Sequence, residues 1–193
     1  MPRDIELGKI AYKCLIEVKR AFDQIELDFI VWDGLLLGLY RDGDQVKEDE
    51  DDIDLGVWEK DRHKLLGVVE PLTKKGFNIE VWRIEGKICG LVLEKEKARF
   101  HIALLCKRGD NYYHIFRNHG KKNRVGDKDY FAEIFSLEVF DELETIMWKD
   151  LKLTTPKIEK FLTEKYYNWK KPRLRSEGYN TVEDLNITTD FIL

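Results

Sequence analysis

Gly34-Leu35-Leu36-Leu37-Gly38-Leu39-Tyr40-Arg41, followed closely by Glu48-Asp49-Glu50-Asp51-Asp52-Ile53-Asp54, is the stretch on which the reading of this chain turns. Six of the seven positions from Glu48 to Asp54 are carboxylates. Most charge runs are solvated loops, but this one ends inside the apolar alternation Ile53, Leu55, Val57, which is a strand pattern. On a strand, Asp52 and Asp54 leave the same face, and same-face neighbours are ~6.6 Å apart, within reach of one ion. Like charges so placed repel unless a cation lies between them. Oxygen donors select a hard ion, Mg²⁺ or Mn²⁺. An EF-hand does not fit, because a loop begun at Asp42 or Asp49 has no glycine at its sixth position.

The glycine-bearing half points to phosphate. The apolar run Phe29 to Trp32 predicts a strand, Asp33-Gly34 a tight break, and Leu35 to Tyr40 a short helix. A helix that starts at a glycine turn offers free backbone N–H groups to an anion. The Arg41 guanidinium adds a planar two-pronged donor. Gly34, Gly38 and Arg41 are therefore the candidate phosphate contacts, with Asp52 and Asp54 the candidate metal ligands.

Outward from this stretch, Leu7, Ile10, Ala11, Cys14, Leu15, Val18, Phe22 and Ile25 recur at helical spacing and predict one long amphipathic helix. A second helix is predicted from an Asp61 cap to Gly76, with Leu65, Leu66, Val69 and Leu72 inward. Strand patterns follow at 79–82, 88–93, 100–106 and 112–116, and Thr155-Pro156 predicts the cap and first residue of a last helix carrying Ile158, Phe161, Leu162 and Tyr166. The sum is an α+β fold, a small mixed or antiparallel sheet flanked by helices.

The chain's 193 residues favour a single domain, and 43% hydrophobic residues supply a core, which excludes disorder. No apolar run is long enough to span a bilayer and no signal-peptide core follows Met1, so a soluble, cytoplasmic protein is expected. Cys14, Cys89 and Cys106 form no close pair and predict buried thiols. A net charge of −4 gives no electrostatic signal for nucleic acid.

At Gly34, Leu36, Leu37, Gly38, Arg41, Asp51, Asp52, Ile53, Asp54 and Gly56 the sequence resembles the nucleotidyltransferase superfamily, most of all its LicD/fukutin-like branch. The stretch from Thr155-Pro156 through Tyr166 and Trp169 to Pro172 resembles the ending of that branch, so the likeness runs from about residue 25 to 172 of one domain. The resemblance implies a nucleotidyltransferase-like fold and metal-dependent transfer from a nucleotide donor, a CDP-alcohol or NTP, to a glycan or other hydroxyl acceptor. The transferred group would be phosphocholine- or phosphopolyol-like, or nucleotidyl. It also implies that Asp52 and Asp54 hold Mg²⁺ or Mn²⁺ and that Gly34 and Arg41 face the donor phosphates.

Two departures accompany it. Leu35 stands where the branch carries Ser or Thr, and in Phe100-His101-Ile102-Ala103-Leu104 the position of a third carboxylate falls on Ala103. His101 is then the candidate general base, an imidazole being suited to proton transfer near neutral pH, with Glu94, Glu96 and Asp110 as other carboxylates able to compensate. Two alternatives stay open: a catalytically degenerate relative that binds nucleotide or a partner, and an Asp-x-Asp glycosyltransferase. Trp58 and Trp82 read as core in preference to base platforms, Lys170, Lys171, Arg173 and Arg175 as a solvated basic tail, and Asn186-Ile187-Thr188 as a chance sequon.

Overall fold

The structure is a computed structural model that describes residues 4–47, 49–84, 86–117, 130–166, 168–172 and 187–188. Glu48, Arg173, Arg175 and Asn186 lie outside the described residues. Its centre is a mixed sheet, and one parallel pair within it decides everything about the site. Strand β1 (Ile30–Val31) leads into helix α2 (Asp33–Asp42), which follows the long N-terminal helix α1 (Ile5–Gln24). Strand β2 (Asp52–Trp58) runs antiparallel to β1 and parallel to β5 (Ala98–Arg108). The hairpin β3 (Asn78–Ile84) and β4 (Lys87–Lys95) joins β5 on its other side. The far end of β5 pairs with β6 (Asn111–Arg117), and β7 (Tyr130–Ser136) and β10 (Ile187–Thr188) follow in turn to complete eight strands. A separate hairpin, β8 (Glu144–Trp148) and β9 (Leu151–Thr155), precedes α4 (Ile158–Lys165). The mixed α+β class expected from the sequence is the one observed.

Strand alternation divides the molecule into two faces. Ile53, Leu55 and Val57 of β2, with Phe100, Ile102, Leu104 and Cys106 of β5, enter the larger core with α1, whose buried stripe includes Ala11, Cys14, Leu15, Val18 and Phe22. The opposite face carries Asp52, Asp54, Gly56 and Trp58 of β2 and His101, Ala103 and Leu105 of β5. There Ala103, Leu105, Trp32, Leu36, Leu37, Phe135 and Phe140 pack against Ile158, Phe161, Leu162 and Tyr166 of α4 and its end. Gly56 makes room on this face, since a Cβ there would meet Ile30 Cγ1 at 2.9 Å and the Trp32 ring at 3.4 Å. The three cysteines are buried free thiols, as their spacing predicts.

Local differences from expectation have identifiable causes. The segment after β2 begins as a 3-10 helix, Glu59–Val68, before α3 (Val69–Lys74). Its three-residue turn turns Leu65 and Val68 inward, with Leu72 of α3, and leaves Leu66 44% exposed. Asp61 pairs with Lys64 at 3.0 Å. Thr155 ends β9, and the cap residue of α4 is Lys157. The N–H of Ile158, without a partner inside the helix, donates to Glu144 Oε2 at 3.0 Å, so a neighbouring strand satisfies the helix start. Trp82 is core, as expected, whereas Trp58 is half-buried beside Tyr112 and Phe140. Among the described residues no helix is long and apolar enough to cross a membrane.

Gly34 and Gly38, one helical turn apart on α2, form a shallow groove that the following loop fills. A Cβ at Gly34 would strike the Asp49 carboxylate, and one at Gly38 would strike the backbone of Asp44 to Val46, including the Gln45 carbonyl carbon at 2.7 Å. Backbone cannot swing aside as a side chain does. Gly38→Ala is therefore expected to cost about 1–3 kcal/mol and lower the melting temperature by several degrees. Gly67→Ala, whose methyl would meet Ile25 at an ordinary 3.6 Å, should stay within about 0.5 kcal/mol of wild type. Thermal denaturation of the two variants side by side checks the groove.

Candidate active site

The acidic loop is held before the site begins. Gln45 is buried and donates from Nε2 to the Glu50 carbonyl at 2.7 Å. The buried Glu50 carboxylate accepts from the Asp4 N–H at 3.2 Å, while Asp4 caps α1 through the Leu7 N–H at 3.0 Å. The loop thus enters β2 in one register, with Arg99 N–H donating to the Asp51 carbonyl at 2.7 Å.

The parallel ladder then sets the neighbours: Asp52 lies opposite Arg99, Asp54 opposite His101, and Gly56 opposite Ala103. One ligand atom from each of Asp52, Asp54 and His101 lies within 4.8 Å of the others. His101 Nε2 is 3.9 Å from Asp52 Oδ1, and the Trp82 ring meets the imidazole edge-on at 5.8 Å between centroids. His101, the candidate base, therefore lies beside Asp54, and Ala103, on which the resemblance places the third carboxylate, sits two pairs further along, opposite Gly56 and buried against the α4 core. The parallel pairing of β2 with β5 sets this offset, and no strand pattern in the sequence specifies it. Of the other carboxylates considered, Glu94 pairs with Arg99 Nε at 3.5 Å.

A second group meets the first at Asp33, the first residue of α2, held at the unusual φ of 47°. Asp33, His114 of β6 and Glu133 of β7 bring ligand atoms within 4.8 Å of one another. His114 and Glu133 are cross-strand partners, joined Nδ1 to Oε2 at 3.0 Å. Lys165, the last residue of α4, donates to both Glu133 oxygens at 2.5 and 2.6 Å and lies 3.4 Å from Asp33 Oδ1. Removing one partner of such a largely buried ion pair costs about 3–5 kcal/mol.

Charge balance differs across the cleft. Burial pushes the Asp54 carboxyl well above the usual carboxylate range, and Asp33, Asp52 and Asp49 add repulsion that Lys165 only partly offsets. Asp33 is also raised, by burial first, against the pull of Lys165. Burial would raise Glu133 as well, but Lys165 and His114 outweigh it and hold the group at about 2. Burial lifts the neighbouring Tyr166 phenol well above its ordinary value, and Asp33, Asp54 and Glu133 add to the rise.

The residues fit a divalent cation. Asp52 Oδ1 is buried with no hydrogen-bond partner among the described residues. An orphaned acceptor beside a mutually repelling carboxylate is the environment that a cation relieves.

Gly34, Gly38 and Arg41, the candidate phosphate contacts, are placed differently from the carboxylates. The two glycines receive the loop, with the Asp49 carboxylate against Gly34. Arg41 lies in the last turn of α2, its guanidinium 2.8 and 2.7 Å from the Asp42 oxygens and 3.2 Å from the Trp169 carbonyl. With Tyr40, whose ring lies 5.7 Å from that of Trp169, it ties the segment after α4 to α2.

Asp33, His114, Glu133 and Lys165 were not singled out from the sequence. One signal was present: Lys165 falls seven residues after Ile158, on the apolar face with Phe161 and Leu162, so a lysine there points inward. Asp33 reads as part of a turn, and the cross-strand pairing of His114 with Glu133 exists only once β6 meets β7.

These shifts have opposite signs for stability. Glu133, depressed from an ordinary 4.5 to about 2, stabilises the fold above about pH 4.5, and that contribution is lost as pH falls toward 2. Asp54, raised, opposes folding at neutral pH and is relieved as pH falls through its folded value. Asp54→Asn should therefore stabilise the metal-free protein at pH 7 by about 1 kcal/mol, with the difference from wild type shrinking on acidification. Melting curves in chelator across pH 4.5–8 measure it.

No protein-family pattern matches the chain, and no curated protein does. Among solved structures, the fold is similar to that of ANT(2″)-Ia, an aminoglycoside nucleotidyltransferase whose crystal structure is a complex with adenylyl-2″-tobramycin. The TM-score is 0.50 and the identity 15%, over 83% of this chain and 77% of that one. At that identity the likeness speaks to architecture: the chain has a nucleotidyltransferase-like fold.

Proposed function

We propose that this chain is a metal-dependent transferase that moves a nucleotidyl or phospho-alcohol group from a nucleotide donor, an NTP or a CDP-alcohol, to a hydroxyl acceptor. The observation that carries this reading is the convergence of Asp52, Asp54 and His101 on one sheet face, their ligand atoms within 4.8 Å. The fold of ANT(2″)-Ia, with adenylyl-2″-tobramycin bound, supports transfer onto a sugar-like acceptor. The LicD/fukutin-like resemblance from Gly34 to Gly56 supports a phospho-alcohol such as phosphocholine or a phosphopolyol. The chain acts as one domain over residues 1–193, with a glycan or other hydroxyl compound as acceptor.

Asp52 and Asp54 hold Mg²⁺ or Mn²⁺, and the bound ion supplies neutralisation of charge on the transferring phosphoryl oxygens. His101, steadied by the Trp82 ring, accepts the proton from the acceptor hydroxyl. Gly34, Gly38 and Arg41 act by placement: the glycines seat the loop that feeds β2, and Arg41 ties the segment after α4 to α2. Such a reaction asks the protein chiefly for in-line positioning and charge compensation, which these residues provide.

A thermal-shift panel of the NTPs and common CDP-alcohols, with and without Mg²⁺ or Mn²⁺, tests the class. A cognate donor at a hundred times its dissociation constant stabilises by about 2.7 kcal/mol, and the shift should need the ion. Asp52→Asn and Asp54→Asn should each lose that shift and turnover together; turnover equal to wild type in either would refute the assignment. His101→Ala should keep the ion-linked shift and lose roughly 10²–10⁴ in rate. Loss of the shift as well would make the imidazole a ligand instead of the base. Donor binding with no product would leave a nucleotide-binding relative without catalysis.

A further inference from the structure

Lys165 occupies the second constellation in the way an ion would. Its ammonium sits 2.5 and 2.6 Å from the two oxygens of Glu133 and 3.4 Å from Asp33 Oδ1. The donor atoms of Asp33, His114 and Glu133 all lie within 4.8 Å of one another, the spacing a single divalent ion requires. The side chains are closed in: those of Lys165, His114, Glu133 and Asp33 are 11, 10, 12 and 14% exposed. A largely buried pair of carboxylates and an imidazole calls for a compensating cation, and the chain delivers its own from the end of α4. Arg41 and Tyr40 hold the residues that follow, through the Trp169 carbonyl and ring.

We propose that the Lys165 ammonium is a resident cation filling the Asp33–His114–Glu133 site, so that the cleft takes one divalent ion where its carboxylates could otherwise hold two. The inference rests on the metal-dependent reading above, with the exchangeable ion at Asp52 and Asp54. A divalent ion and the ammonium cannot share Glu133, because both Glu133 oxygens already accept from Nζ and two adjacent cations in a half-buried cleft repel strongly. The second positive charge of the cleft is thus built into the fold and is independent of metal concentration.

Calorimetric titration of the full chain with Mn²⁺ reads the stoichiometry directly. Wild type should bind one ion per chain and Lys165→Met two, and adding Asp33→Asn to Lys165→Met should return the count to one. Two ions on wild type, or no gained ion on a folded Lys165→Met chain, would overturn the proposal. Should Lys165→Met not fold, Asp33→Asn and Glu133→Gln in the wild-type background decide. Each should leave the single ion in place, and its loss in either would put the ion in the site assigned to Lys165. The metal-dependent reading fails separately: a wild type that binds no ion removes it, while a gain of one ion in Lys165→Met would still identify the lysine-filled site.

Discussion

The mutual repulsion of carboxylates in a half-buried cleft is the constraint that organises this molecule. Asp52 and Asp54 share one face of β2, and Asp33 and Asp49 lie near enough to push Asp54 further from its ionised form. A fold optimised for stability alone would not gather these groups. The structure retains them by surrounding the cleft with large apolar contacts: the α1 core on one face of the sheet, and Trp32, Phe135, Phe140 and Phe161 on the other. The destabilisation that remains is characteristic of a site whose complement is a cation.

Few of the residues that matter need to touch a ligand. Gly34 and Gly38 give α2 a flat side, Asp44 to Val46 and Asp49 of the following loop pack into it, and the chain therefore enters β2 at a fixed register. That register puts His101 beside Asp54 and leaves Ala103 opposite Gly56. Because side chains alternate, a slip of one residue would send both aspartates into the α1 core. At the other end, Arg41 spends its guanidinium on Asp42 and a backbone carbonyl, and so draws the segment beyond α4 toward α2. Small residues and a cation that the resemblance assigns to phosphate thus also have packing roles.

The two constellations treat their carboxylates in opposite ways. Glu133 is kept ionised by Lys165 and His114 in spite of burial, whereas Asp54 is driven toward neutrality by its acidic neighbours. One half of the cleft holds its counter-charge in direct contact, and the other is only partly offset by it. This asymmetry gives the cleft a direction, with a satisfied wall formed by β6, β7 and α4 and an unsatisfied edge formed by β2 and β5.

By itself the sequence determined the secondary structure around the site and its acidic signature. Period-3.6 and period-2 patterns marked α1, β2 and the strands from β3 to β6, and the Asp-Ile-Asp spacing fixed two carboxylates on one face whatever their surroundings. These are consequences of local backbone geometry, which sequence spacing encodes directly. The tertiary structure alone decided which residues join them. Parallel pairing of β2 with β5 set His101, already a candidate from the sequence, opposite Asp54, pairing of β6 with β7 brought His114 to Glu133, and the packing of α4 set Lys165 among them. Such contacts join residues far apart in the chain, and only closure of the sheet and the docking of α4 specify them.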